Sequence, residues 1–176
     1  MPTHDVEYHK TTPDTEEIWR PSDTEVIKIN VDTAFQSSVR LATTADLARD
    51  STGEIVGAET YLFADVVDAF VAEARACERA LIFGDSLTVI KNIKKKKKDK
   101  SVLRPITHHI SILESQFDNV TYRFVPRMAN GAAHTLALER RRSQHSGVWV
   151  DGVPDSVKTM AMKDCLDWTQ IYHVPL

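Results

Sequence analysis

The sequence of 176 residues lacks the features that mark secreted, membrane and zinc-binding proteins. It has two cysteines, Cys77 and Cys165, which are too few for a disulfide framework and lack the CxxC spacing of a zinc site. No apolar run approaches the ~18 residues of a membrane span. The first 19 residues are polar and acidic, unlike a signal peptide. We therefore expect an intracellular protein, cytoplasmic or nuclear, that is not secreted and has no membrane partner.

The charged residues are unevenly distributed along the chain, whose net charge is −3. Residues 1–27 carry seven acidic and two basic side chains, a net charge of −5. Residues 91–104 carry seven lysines and one arginine against one aspartate, a net charge of +7. Such a block is a solvated lysine tract, a nuclear-import signal or a nucleic-acid contact. The candidate nucleic-acid-binding residues in it are Lys94, Lys95, Lys96, Lys97 and Lys98.

The first apolar stretches predict three antiparallel strands. One leads from Val26 into Asp32, and two more cover residues 41–48 and 55–63. The turn at residues 50–53 favours a hairpin, because Asp and Ser come early and Gly closes it.

The rest of the chain alternates between helical and strand periodicity. Residues 69–80, 85–94 and 130–142 predict helices, and residues 120–124 predict a strand. Another helix follows Ser101, with Pro105 in its first turn. Its apolar face carries Ile106, Ile110, Leu113 and Phe117. This order predicts an α/β fold: a mixed sheet, three antiparallel strands followed by parallel strands, flanked by helices.

The predicted domain covers residues 19–168. Residues 1–18 have no apolar period and are expected to be a disordered leader or a linker remnant. Residues 169–176 are expected to form a short tail.

Three carboxylates stand where an α/β sheet can bring distant residues together. Asp32 ends the first strand, Glu73 lies in the first turn of the first helix, and Asp85 stands at a junction into the next helix. Such a cluster suits Mg²⁺, a hard cation that prefers oxygen ligands. Each acid alone also has a structural explanation, as a turn former, a first-turn acid or an N-cap.

Seven short motifs occur in order along the chain. They are Trp19-Arg20-Pro21, Asn30-Val31-Asp32-Thr33-Ala34-Phe35, Ala48-Arg49-Asp50-Ser51-Thr52-Gly53, Ala72-Glu73-Ala74, Gly84-Asp85-Ser86-Leu87, Val125-Pro126-Arg127-Met128-Ala129-Asn130 and Ala133-His134-Thr135-Leu136-Ala137. Together they resemble the ribonuclease H type-1 domain of plant retroelement-derived proteins. The resemblance covers about residues 19–168, including Trp149 and Pro154.

The resemblance implies a metal-dependent endonuclease that hydrolyses the RNA strand of RNA–DNA hybrids. It assigns Asp32, Glu73 and Asp85 as catalytic ligands of two Mg²⁺ ions, with Mn²⁺ as a substitute. His134 stands where better-known members carry a fourth aspartate, and it implies a weak ligand or a proton relay. Asn130 matches an asparagine near the hybrid, which would be recognised by its backbone shape and 2′-hydroxyls.

The chain departs from this family between Glu73 and Asp85, which are 12 positions apart. The family interval is roughly twice as long and contains a loop and most of a central strand. The apolar run at residues 80–83 favours a shortened helix with the strand retained, since a sheet without its central strand exposes two edges. An unbroken helix would instead place the two acids about 18 Å apart. The sequence thus leaves open an active nuclease, a catalytically silent nucleic-acid-binding module of the same fold and a decayed, poorly folded element.

Overall fold

A four-stranded antiparallel sheet is the centre of the fold. The computed structural model describes residues 18–86, 104–117, 119–122, 125–143, 147–149 and 152–172. In this part of the chain the strand order is β1-β2-β3-β4, and each neighbouring pair is antiparallel. The strands are β1 (Lys28–Gln36), β2 (Leu41–Arg49), β3 (Ile55–Phe63) and β4 (Gly147–Trp149).

The turn between β2 and β3 has the predicted hairpin chemistry. The side-chain Oδ1 of Asp50 accepts hydrogen bonds from the backbone N–H of Thr52 at 2.9 Å and of Glu54 at 3.1 Å. Gly53 has a φ of +85°, a conformation that glycine adopts without steric cost. The three predicted strands and this hairpin are therefore confirmed.

The register of the sheet places polar residues on both of its faces. Asp32 lies opposite Ala45, while Asp46 lies opposite Val31 and Glu59. Because successive side chains on a strand point to opposite faces, Asp32 and Asp46 lie on different faces of the sheet.

Helices cover both faces. The helix α1 (Ala69–Ser86) packs on the face that carries Asp46, where Ala42 and Ala72 share one apolar cluster. The opposite face packs against α3 (Gly131–Ser143) and α4 (Asp155–Tyr172). Small residues let α3 approach the sheet closely, and the buried residues of this larger core are Ala45, Leu47, Ala58, Ala132, Ala133, Leu136, Ala137, Val153, Val157 and Ala161.

The helix predicted after Ser101 is observed from Arg104, and the helix predicted at residues 130–142 is observed from Gly131. The helix α2 (Arg104–Glu114) buries Ile106 and Leu113, and it packs against α1 through Leu113 and Leu81. A short 3-10 helix, Arg127–Asn130, leads directly into α3.

The expected strand at residues 80–83 is wrong, since α1 runs unbroken from Ala69 to Ser86. Asp85 accordingly lies in the last turn of α1 and not at the start of another helix. No glycine or proline interrupts residues 73–83, and several of them are strong helix formers. Ala76 and Leu81 are buried along this stretch, so its apolar residues pack as a helical face.

Other differences lie in the second half of the chain. Val120 and Tyr122 are not in a strand, and residues 123–124 lie outside the described part. The described sheet contains β4, antiparallel to β3, and none of the expected parallel strands. Neither β4 nor α4 was predicted from the sequence. Residues 1–17 of the predicted leader and most of the predicted helix at 85–94 also lie outside the described residues.

Within the described ranges, no helix is long and apolar enough to cross a membrane.

Candidate active site

Asp32 and His134 meet on the face of the sheet that α3 covers. Asp32 lies in β1 and His134 in the first turns of α3. The Nδ1 atom of His134 is 3.2 Å from Oδ2 of Asp32, although 102 residues separate them along the chain. Both side chains are partly exposed, with 26% of His134 and 20% of Asp32 accessible. The structure therefore brings together two of the four predicted catalytic residues.

Arg127 extends this pair toward solvent. Its Nη2 atom is 2.6 Å from Nε2 of His134, and its side chain is exposed. Arg127 belongs to the motif at residues 125–130, but sequence reasoning gave it no role. The short spacing to His134, seven residues across a helix start, is the signal that could have suggested a contact.

Asn130 is buried beneath this group. Its Oδ1 accepts a hydrogen bond from Nδ2 of Asn30 at 3.0 Å, and its Nδ2 donates to the carbonyl of Val31 at 2.7 Å. Asn30 in turn accepts from the indole N–H of the buried Trp19 at 3.2 Å. These bonds fix the start of α3 against β1, immediately beside Asp32. The contact of Asn130 with the hybrid stays a prediction.

Glu73 and Asp85 do not share the position of Asp32 in the fold. Glu73 is exposed on α1, which covers the other face of the sheet. Asp85 follows it by 12 residues in the same continuous helix, a separation of about 18 Å at 1.5 Å per residue. Metal ions shared between carboxylates in a two-metal centre lie only about 3.5–4 Å apart. The unbroken helix therefore separates the two acids too widely for a shared metal.

The described side chains of the predicted donor set do not form a Mg²⁺ centre. Among the side chains that the structure describes, no three histidine, cysteine, aspartate or glutamate residues lie close enough together to hold a metal ion. Among the predicted ligands whose side chains are described, Asp32 and His134 are in contact, and an imidazole is a softer ligand than Mg²⁺ prefers.

Comparison with known proteins identifies the family. A family model described as reverse transcriptase-like matches residues 30–139, more than half of the chain. The chain belongs to the reverse transcriptase-like family. No curated protein matches the sequence.

This reverse transcriptase-like domain also matches a solved structure. The N-terminal RNase H domain of a Mycobacterium tuberculosis protein, solved as a fusion with maltose-binding protein, superposes with a TM-score of 0.55. The two chains are 18% identical, and the match covers 68% of this chain and 96% of the other. The predicted ribonuclease H-like fold is therefore confirmed; the plant and retroelement origin stays a prediction.

A second polar group in this reverse transcriptase-like domain lies between the sheet and α1. Both carboxylate oxygens of Asp46 are buried and have no hydrogen-bond partner in the described part of the chain. Neighbouring Glu59 forms a two-bond ion pair with Arg79 of α1. Burial, and secondarily the charge of Glu59, raise the pKa of Asp46 well above its ordinary value, while Arg79 lowers it. No motif contains Asp46, and the sequence around it predicts only a strand.

The lysine block cannot be placed in this geometry. Lys94, Lys95, Lys96, Lys97 and Lys98 lie outside the described residues. Their contact with nucleic acid stays a prediction.

Proposed function

We propose that this domain binds RNA–DNA hybrids. We also propose that it does not cleave them by a two-metal mechanism. The observation that carries the proposal is the continuity of α1 from Ala69 to Ser86, which separates Glu73 from Asp85. The binding part rests on the family and on the ribonuclease H-like fold.

The features that serve binding are independent of the metal ligands. A protein reads an A-form duplex through its backbone and 2′-hydroxyls, so recognition needs a shaped surface with donors rather than a carboxylate cluster. The exposed Arg127 beside His134 supplies donors next to β1. The net charge of +7 at residues 91–104 would add an electrostatic contribution that salt weakens.

The features that serve cleavage are incomplete. Two-metal hydrolysis requires oxygen ligands that hold both ions around one phosphodiester, to activate a water and stabilise the leaving oxygen. Asp32 retains its position in the strand, but among the described side chains it belongs to no group of three residues that could hold a metal ion. A lone carboxylate with one imidazole provides too few hard donors for that chemistry.

Hydrolysis of the hybrid is the second candidate function. The observation in its favour is the contact of Asp32 with His134, two residues that the family resemblance assigned to catalysis. In that case Mg²⁺ or Mn²⁺ would be the cofactor, and Asp32 would be indispensable.

Binding and cleavage can be measured on the same purified chain. Fluorescence anisotropy with a labelled RNA–DNA hybrid should show binding that weakens steeply as salt rises. Incubation of that hybrid with excess protein and Mg²⁺ or Mn²⁺ should leave the RNA strand intact. Cleavage by the wild type that is lost in Asp32→Asn would overturn the proposal in favour of the hydrolase. Absence of binding at low salt would remove the binding function.

A further inference from the structure

We propose that Arg127 binds a backbone phosphate of the nucleic acid and that Asp32 and His134 orient its guanidinium. The inference rests on the proposed function, since it names the group that this surface recognises. It adds a nucleic-acid-binding residue outside the lysine block, and it gives Asp32 and His134 a role that requires no metal.

The hydrogen-bond directions in this group follow from the chemistry of its members. A guanidinium has only donors, so Nη2 of Arg127 donates to Nε2 of His134 across 2.6 Å. An Nε2 atom that accepts carries no hydrogen, and the ring hydrogen of neutral His134 is then on Nδ1. That hydrogen faces Oδ2 of Asp32 at 3.2 Å, and the carboxylate accepts it. Asp32 thereby selects the tautomer in which His134 can hold Arg127.

The two inner members of the group belong to rigid elements. Asp32 lies within β1, which pairs with β2 along its whole length. His134 lies on α3 between Ala133 and Leu136, side chains of that helix that are fully buried. A long arginine side chain loses less conformational entropy on binding when its orientation is already fixed. The chain of hydrogen bonds from Asp32 through His134 to Arg127 is called the relay below. It favours binding because it holds Arg127 in place before the ligand arrives.

The outer side of Arg127 is open to a large ligand. One of its five N–H donors points to His134, and no other hydrogen-bond partner of Arg127 occurs in the described part of the chain. The adjacent Met128 is 74% exposed. A guanidinium with free paired donors matches the geometry of phosphate oxygens, which accept two parallel hydrogen bonds.

Salt-dependent affinity tests the phosphate contact directly. Arg127→Met should weaken hybrid binding by about tenfold. It should also reduce the slope of log affinity against log salt by about 1, the effect of losing one phosphate contact. Arg142→Met is the matched control, because Arg142 is an exposed arginine at the other end of α3 and its replacement removes the same charge. The control should keep the wild-type slope.

Asp32→Ala separates the relay from simple electrostatics. Removing a negative charge from an anion-binding surface should strengthen binding, whereas loss of the relay should weaken it. We expect about a threefold loss of affinity, because Arg127 remains but is no longer oriented. A gain in affinity would overturn the relay.

Nitrogen-15 NMR of the histidine rings gives a second readout without nucleic acid. At pH 8 the ring shifts of His134 should show the Nδ1–H tautomer in the wild type and the Nε2–H tautomer in Asp32→Ala. An Nε2–H ring in the wild type would contradict the relay.

If the wild type fails to bind the hybrid, the proposed function and the phosphate contact both fall. If it binds and Arg127→Met binds equally well, only the phosphate contact falls.

Discussion

At the scale of single residues, Asp46 is in an unfavourable environment for a charged carboxylate. Its carboxylate is fully buried between the sheet and α1 and faces Glu59 across the strands. Arg79 carries the positive charge that could stabilise a charged Asp46, but its guanidinium already forms an ion pair with Glu59. Burial of a carboxylate without hydrogen bonds favours its protonated form. Asp46 therefore keeps its proton in the folded chain at pH values where an exposed aspartate has lost it.

The contribution of Asp46 to the free energy of unfolding should accordingly fall as pH rises above 3.8, its ordinary pKa. Between that value and the raised pKa in the folded state, the folded chain binds more protons than the unfolded chain, so the free energy of unfolding decreases with pH. Asp46→Asn removes this loss, and at pH 8 it should raise the free energy of unfolding by about 1–3 kcal/mol. Urea unfolding at pH 4 and pH 8 measures the effect.

Asp46→Asn should have the same free energy of unfolding as the wild type at pH values low enough to protonate Asp46 in both the folded and the unfolded chain. Glu54→Gln is the control, since Glu54 is an exposed acid near the same sheet. Parallel stability curves for the wild type and Asp46→Asn from pH 4 to pH 8 would contradict the raised pKa.

Residue-level prediction from the sequence succeeded where a motif marked the position. The motifs identified Asp32 and His134, and the structure brings these two into contact. Arg127 and Asp46 received no role. The contact of Arg127 with His134 depends on the geometry of the helix start between them, and the environment of Asp46 depends on Glu59 of the adjacent strand. Pair contacts of this kind become visible only once the register of the sheet and the position of α3 are known.

At the scale of elements, α1 decides the chemistry of the domain. Asp68 caps it, since its Oδ1 accepts the backbone N–H of Val71 at 2.8 Å. From Ala69 onward the composition sustains the helix through residues 80–83, which were expected to form a strand. Helix propensity, together with burial of Leu81 against α2, outweighed the strand tendency of four apolar residues.

Ala80→Pro tests the continuity of α1. A proline inside a helix removes a hydrogen bond and clashes with the preceding turn, so this variant should lose about 3 kcal/mol of stability. Ala69→Pro is the control, because proline is tolerated at the first position of a helix. Urea unfolding monitored by circular dichroism measures both. Equal stability of the two variants would contradict an unbroken helix at residue 80.

Element prediction was accurate for the strongly periodic segments and poor elsewhere. The strands β1, β2 and β3, the start of α1, and the helices α2 and α3 follow from periodicity and turn residues. Residues 80–83 show that four apolar residues fit a strand or a helix equally well, so only tertiary packing separates the two. The short strand β4 has three residues, too few for any period to appear.

At the scale of the whole molecule, one buried ion pair attaches α4 to the sheet. Nη2 of Arg49, at the end of β2, is 2.6 Å from Oδ2 of Asp164 on α4. The Arg49 guanidinium also lies 4.2 Å from the ring centre of the buried Trp19. Three distant parts of the chain, residues 19, 49 and 164, thus meet at one point.

Asp164→Ala should destabilise the whole fold. Removing one partner leaves the Arg49 charge buried and unpaired, a loss of about 3–5 kcal/mol. Asp167→Ala, three residues further along the same helix, breaks the more exposed pair with Lys163 and should cost less than about 1 kcal/mol. Thermal unfolding of the two variants provides the comparison. A similar loss in both would show that α4 is not held by Arg49.

Three polar links on the α3 side join remote positions: 100 residues separate Asn30 from Asn130, 102 separate Asp32 from His134, and 115 separate Arg49 from Asp164. During translation the ribosome releases the first hairpins long before it synthesises any of these partners. Until these partners are synthesised, one apolar face of the nascent sheet remains uncovered, and an uncovered apolar face promotes aggregation. Synthesis rate and chaperone supply should consequently govern how much native protein a cell obtains.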